Sequence, residues 1–140
     1  MAFPAAELRS KTRVDLDAEE LLRAAHQRAV QAKPAEMAAF FQKLFGQQLT
    51  ALMTGTADPK AVGKWARGKR TPRTITEQRL RDGYHVAMLL TLAEDEETAR
   101  AWFMGMNPFL YDRSPIKVIA SEPDGGERVM DAAIAYIAYG

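Results

Sequence analysis

The segment Asp58-Pro-Lys-Ala-Val-Gly-Lys-Trp-Ala-Arg-Gly-Lys-Arg-Thr-Pro72 limits the fold more than any other part of this chain. Asp58 can cap a helix N-terminus, and Pro59 suits the first helical position, where no N–H is needed. At about 100° per residue, Val62, Trp65 and Ala66 share one side, while Lys60, Lys64 and Arg67 lie nearly opposite. A helix this short persists only when it is packed, so it requires a neighbouring element behind its apolar side. The preceding segment Gln47–Thr54 offers one, with Leu49, Leu52 and Met53 as an apolar stripe and Gly55-Thr56-Ala57 as the turn. Two helices joined this way, with cations in front, form a helix-turn-helix whose second helix suits a DNA major groove.

Local charge agrees. The whole chain carries a formal net charge of +1, which by itself points to no polyanion. Between Lys60 and Arg81, however, stand eight cations (Lys60, Lys64, Arg67, Lys69, Arg70, Arg73, Arg79, Arg81) opposed by Glu77 alone, a local charge of +7 that leaves −6 for the rest. A basic patch on an otherwise acidic chain is the electrostatic footprint of nucleic-acid binding. A solvated Lys/Arg-rich surface would give the same count; the two-faced helix favours DNA. Lys60 and Lys64 are expected at base edges or nearby phosphates, and Arg67, Lys69, Arg70 and Arg73 on phosphates. One short helix reads few base pairs, so a homodimer on an inverted repeat is expected.

At 140 residues the chain has room for one domain and a packed extension. Its apolar fraction of 47% supports a buried core, and the lack of cysteine excludes disulfides and thiolate metal sites. The first ten residues do not read as a secretory signal, nothing approaches the roughly 18 apolar residues of a membrane span, and a cytoplasmic location is expected.

Helical spacing fills nearly the whole length, and no period-2 strand pattern stands out, so the expected class is all-α. Residues 1–14 read as a loose arm. Asp15 or Asp17 can cap a helix to about Ala32, with Leu21, Leu22, Ala25 and Ala29 inward. Pro34 opens a second helix through Phe45, carrying Met37, Phe40, Phe41 and Leu44, and Gly46 separates it from the brace helix. Thr74 and Glu77 stand at capping-box spacing before a helix bearing Leu80, Tyr84, Ala87, Met88 and Thr91. Asp95 can cap a helix with Ala99, Trp102 and Phe103; Asn107-Pro108 breaks it; Ser114-Pro115 starts another at Val118 and Ile119. Asp124-Gly125-Gly126 reads as a turn before a last helix with Val129, Met130, Ala133, Ile134, Tyr136, Ile137 and Tyr139. The division expected is an N-terminal arm and helix over 1–33, a helix-turn-helix over 34–73, and a C-terminal helical region over 74–140.

From Gly46 to Gly140 the chain resembles the antitoxins of RES–Xre toxin–antitoxin modules, which join an Xre-like helix-turn-helix to an Xre/MbcA/ParS-type toxin-binding domain. The matching residues are Val62, Trp65, Gly68 and Pro72, then Gln78-Arg79-Leu80, then Ala101-Trp102, Asn107-Pro108, Leu110 and Pro115, and last Val129 and Ile134, Ile137 and Gly140. Where the family often has glycine two residues after its signature leucine, this chain has Asp112. The turn before the recognition helix is one residue longer than usual. The resemblance implies an antitoxin that blocks a RES-domain, NAD-degrading toxin and represses its own operon by binding operator DNA. It places toxin contacts at Asn107, Leu110, Tyr136, Ile137, Tyr139 and Gly140. It also implies that the final helix, from Glu127, plugs the toxin, and that ending the chain after Ile134 releases the toxin while the protein stays folded.

Simpler roles stand beside these. Trp65 and Trp102 suit packing, and Asn107 suits a turn. Tyr136 and Tyr139 could line a dimer interface as readily as a toxin pocket. No cofactor, catalytic residue or metal site is expected: His26 and His85 fall in separate helices without a carboxylate cluster at ligand spacing, Ser10, Ser114 and Ser121 lack a nucleophile context, and the acidic run Glu94–Glu97 suits a helix start. The chain therefore reads as no enzyme. Two other readings remain open: a stand-alone helix-turn-helix regulator without a toxin, and an interaction protein whose helix-turn-helix is a vestigial scaffold.

Overall fold

The computed structural model describes residues 17–139. Among them run eight α-helices and no strand: α1 (Ala18–Gln31), α2 (Pro34–Leu44), α3 (Gln47–Thr54), α4 (Lys60–Ala66), α5 (Thr74–Ala93), α6 (Glu96–Met104), α7 (Pro115–Ser121) and α8 (Gly125–Tyr139), with a 3-10 turn at Pro108–Leu110 between α6 and α7. The fold is all-α, as its residue spacing indicates. The arm read over 1–14, the alternative cap Asp15 and the terminal Gly140 lie outside the described residues.

Several boundaries follow the expected chemistry. Asp17, Asp95 and Ser114 each accept a backbone N–H from three residues ahead, at 2.8, 2.7 and 3.3 Å, and so satisfy orphan donors at the starts of α1, α6 and α7. Asp58 accepts the Lys60 N–H at 3.0 Å ahead of α4. Gly68 ends α4 in the left-handed region (φ 70°), and the Gly68 and Lys69 N–H groups bond back to the Trp65 and Lys64 carbonyls.

Three local expectations are corrected. Leu52 is 48% exposed, and the inward face of α3 is Thr50, Ala51, Met53 and Thr54. The two threonines tolerate burial because their hydroxyls donate to the Gly46 and Thr50 carbonyls, at 2.8 and 3.0 Å. Thr74 and Glu77 do not form a capping box: Arg73 is the N-cap, without a side-chain bond, and Glu77 pairs with Arg81 at 3.2 Å. Gly125 and Gly126 belong to the first turn of α8 rather than to a loop before it. A Cβ at Gly125 would overlap the Val118 carbonyl, and one at Gly126 the Asp82 carboxyl, so α8 starts this close to α7 and α5 only with glycine at both.

One continuous cluster of buried side chains runs from Leu21 in α1 to Ala133 in α8. Helix α5 is its axis, touching α1, α2, α3, α6, α7 and α8. Every residue from Val86 to Ala93 is buried and all but Thr91 are apolar, as suits a helix enclosed by neighbours. Gly83 brings α5 close to the helix-turn-helix: a Cβ there would meet Met53 Sδ at 2.8 Å and Phe41 Cζ at 3.3 Å.

The loop after α6 carries the only non-glycine residues with positive φ among those described, Tyr111 (55°) and Asp112 (63°). The left-handed region is costly for a side chain, though Asp tolerates it better than most. The Asp112 N–H bonds to the Asn107 carbonyl at 2.9 Å, which holds the reversal closed. This is the position where the resembled family often has glycine. Asp112→Gly should therefore raise the thermal midpoint, by an amount corresponding to about 1 kcal/mol; an unchanged or lowered midpoint in a melting experiment would show that the loop carries no such strain.

Candidate functional site

Helices α3 and α4, joined through Gly55 to Pro59, form the braced pair on which the basic surface rests. Val62 and Trp65 point into the core with Ala61, while Lys60 and Lys64 face outward. Arg67, Lys69, Arg70 and Arg73 follow on the exposed C-terminal side of α4 and its loop. All six cations singled out as DNA contacts are thus solvent-facing and gathered around one short helix. Arg67 leans back over Gly63, where a Cβ would come within 3.2 Å of its Nη1 and 2.8 Å of Gln47 Nε2. Gln47 in turn donates to Gln42 at 3.0 Å, so an amide pair lies beside α4 at Gly63.

The other two cations of the +7 window serve structure. Arg79 donates to the Thr54 carbonyl at 3.3 Å and caps α3. Arg81 donates to the Ala29 carbonyl and, at 2.9 Å, to the Ala32 carbonyl, closing the C-terminus of α1. A guanidinium at a helix C-terminus meets both the unpaired carbonyls and the negative end of the helix dipole. Sequence counting could not separate these two from the surface six, because their acceptors come from other helices.

The residues placed at a toxin interface separate. Asn107, Tyr136 and Tyr139 line one groove of about 330 Å³, together with Trp102, Met106 and Phe109. Asn107 is only 7% exposed, and its Oδ1 accepts the Phe109 N–H at 2.9 Å, so it shapes the loop more than it offers a free contact. Leu110 is a core residue, 1% exposed, and is corrected as a surface contact: the turn that exposes Phe109 sends the next side chain inward. Ile137 lies apart from this groove: half-buried, it lines a different, smaller pocket with Leu22 and Leu89, because one position along a helix rotates a side chain by about 100°. Gly140 lies outside the described residues.

Spacing alone missed the apolar surface around the groove. Met106, Phe109 (65% exposed), Tyr111 and Tyr139 (89% exposed) all face solvent. Singly exposed apolar residues are ordinary, but Met106, Phe109 and Tyr139 gather around one concavity. The loop after α6 is tied to α7 and α8 through Glu122, which pairs with both Arg113 and Arg128; the hydrogen bond from Arg113, more than any other influence, holds its carboxyl below the usual carboxylate range. Arg128 also lies over the Tyr111 ring, 5.9 Å from its centre.

The two histidines, distant in sequence, meet in space. His26 on α1 and His85 on α5 have ring centres 5.5 Å apart, edge to face. No group of three or more His, Cys, Asp or Glu suited to a metal occurs among the described residues. Burial holds the His85 pKa below 6.5; His26 lowers it further and Asp82 opposes the shift. The folded protein therefore takes up this proton less readily than the unfolded chain. Its contribution to stability is complete above about pH 6.5 and is lost as pH falls from there through the folded pKa. His85→Asn should flatten the dependence of stability on pH in the window just below about 6.5. If the two proteins lost stability in parallel across that window, His85 would not be the responsible group.

No helix of the described residues is long and apolar enough to cross a membrane. Comparison with protein-family models, with curated proteins and with solved structures finds no match to this chain.

Proposed function

We propose that this protein is a DNA-binding antitoxin: a repressor of its own operon that also holds a RES-domain toxin inactive. The observation that carries the DNA half is the set of six exposed cations around a braced helix whose opposite side, Val62 and Trp65, is buried. Phosphate contacts supply affinity and register, and residues on the outward side of α4 supply base contacts. The reading includes a homodimer on an inverted repeat, since one seven-residue helix reaches only a few base pairs.

The toxin half is supported by the resemblance and by a separate, physically suited surface, the aromatic groove between the loop after α6 and α8. A protein partner that inserts a side chain there would meet Phe109, Tyr136 and Tyr139, the kind of aromatic anchors that dominate binding energy at interfaces.

The DNA reading is tested by measuring affinity for DNA upstream of the protein's own operon across a salt series. Binding should weaken linearly in log–log form, and Arg70→Ala should weaken it for all sequences alike while reducing the slope by about one unit. An unchanged slope would remove Arg70 from the phosphate contacts, and salt-independent affinity would remove the DNA reading altogether.

A further inference from the structure

A second concavity lies at the foot of the recognition helix, where neither the helix-turn-helix nor the aromatic groove accounts for it. This cleft of about 360 Å³ runs between the turn after α3 and the loop between α4 and α5. Its volume falls in the range of small-molecule sites. Its chemistry is unbalanced toward donors: Arg70 and Arg73 present guanidiniums, and Thr71 and Thr76 present hydroxyls. Asp58 is the one carboxylate on its wall, and its Oδ1 already accepts the Lys60 N–H.

Trp65 adds a second observation. Trp65 lines the cleft and is 4% exposed, and its buried Nε1–H has no acceptor among the described residues. A buried donor without an acceptor is uncommon. The guanidiniums and hydroxyls in excess, beside the small accessible part of Trp65, suit a molecule that brings acceptor oxygens and a flat or apolar body.

We infer that this cleft binds a small organic anion, a carboxylate or phosphate ester, held by Arg70, Arg73 and the flanking hydroxyls with its body against Trp65. Bound there, the anion occupies two of the six cations of the basic surface. Ligand and DNA therefore compete for Arg70 and Arg73, and the anion acts as an inducer. The competition rests on the DNA reading; the binding of the anion does not. A DNA phosphate shares the same chemistry as the free anion, so the test separates the two sources.

The full chain, labelled with ¹⁵N, is titrated with benzoate and, separately, with inorganic phosphate, chloride being withdrawn to hold ionic strength constant. The indole N–H signals of Trp65 and Trp102 serve as reporter and internal control. Benzoate should move the Trp65 signal along a saturating curve and leave Trp102 in place, and inorganic phosphate should saturate more weakly. Arg70→Gln combined with Arg73→Gln, both at exposed positions, should weaken the benzoate curve by about tenfold or more. A non-saturating drift, equal movement of both indoles, or an unaltered curve in the double variant would overturn the proposal. So would a Trp65 signal that saturates with a short duplex but with neither small anion, since the cleft would then be part of the DNA seat. In a last arm, benzoate should release a bound duplex at fixed ionic strength. A chain that binds benzoate but no duplex would retain the anion site and refute the DNA reading alone.

Discussion

Replacing Phe109 and Tyr139 together by alanine should, on the proposed antitoxin function, release the toxin from inhibition while leaving the protein folded and able to bind DNA. Both side chains are well exposed, at 65% and 89%, and both line the groove beside α8. Exposed substitutions of this kind shift stability by no more than about 0.5 kcal/mol. An aromatic anchor at a partner interface carries about 2 kcal/mol or more, so toxin affinity should fall at least about 30-fold if one of the pair is such an anchor and roughly 1,000-fold if both are. The pair is a cleaner probe than ending the chain after Ile134. That truncation also removes Ile137, which is packed partly buried against the core, and Tyr136, whose ring lies 6.4 Å from that of Trp102. The measurement is NAD loss in cells that co-express the toxin with the parent or the variant, beside a thermal melt and a DNA titration of each. Full protection by a folded double variant would place the toxin elsewhere. Loss of DNA binding as well would point to these residues as part of a dimer contact.

Phe41→Ala should cost about 3–5 kcal/mol, a large part of the stability of a domain this size. Phe41 is completely buried and lies against the rings of Phe40, Phe45, Tyr84 and Phe103, at centre distances of 5.2, 5.2, 6.4 and 6.4 Å. Those neighbours come from α2 and its end, from α5 and from α6, so one side chain joins the helix-turn-helix to the C-terminal helices. Because the buried cluster is continuous, the substitution should lower a single unfolding transition, and DNA and toxin binding should decline together. Two separated transitions in a calorimetric scan, with only the first displaced, would show instead that the halves fold independently.

Much of the fold was legible because its signals are local. Asp17, Asp95 and Ser114 cap helices through hydrogen bonds that span three residues, and Gly46, Gly55 and Gly68 take left-handed turns that few other residues accept. The orientation of α4 was legible for the same reason, since Val62 and Trp65 against Lys60 and Lys64 is a property of the helical repeat alone. The boundaries that failed did so for different reasons. Glu77 left its capping position for Arg81 one turn further along its own helix, and the Gly125-Gly126 pair reads as a turn until Val118 and Asp82, from two other helices, are seen pressing on it.

The candidate sites divide in the same way. Residue order and spacing suffice to show that the chain is helical, where most helices begin, and that six cations surround one short, two-faced helix. Tertiary structure alone decided that Arg79 and Arg81 are structural caps, that Leu110 is core, that Ile137 and Tyr139 face different neighbours, and that His26 and His85 touch. The physical reason is range. Caps, turns and helical faces are set by bonds and rotations within a few residues, whereas Arg81 finds the Ala29 carbonyl 52 positions away, and only the packing of α1 against α5 brings the two within reach.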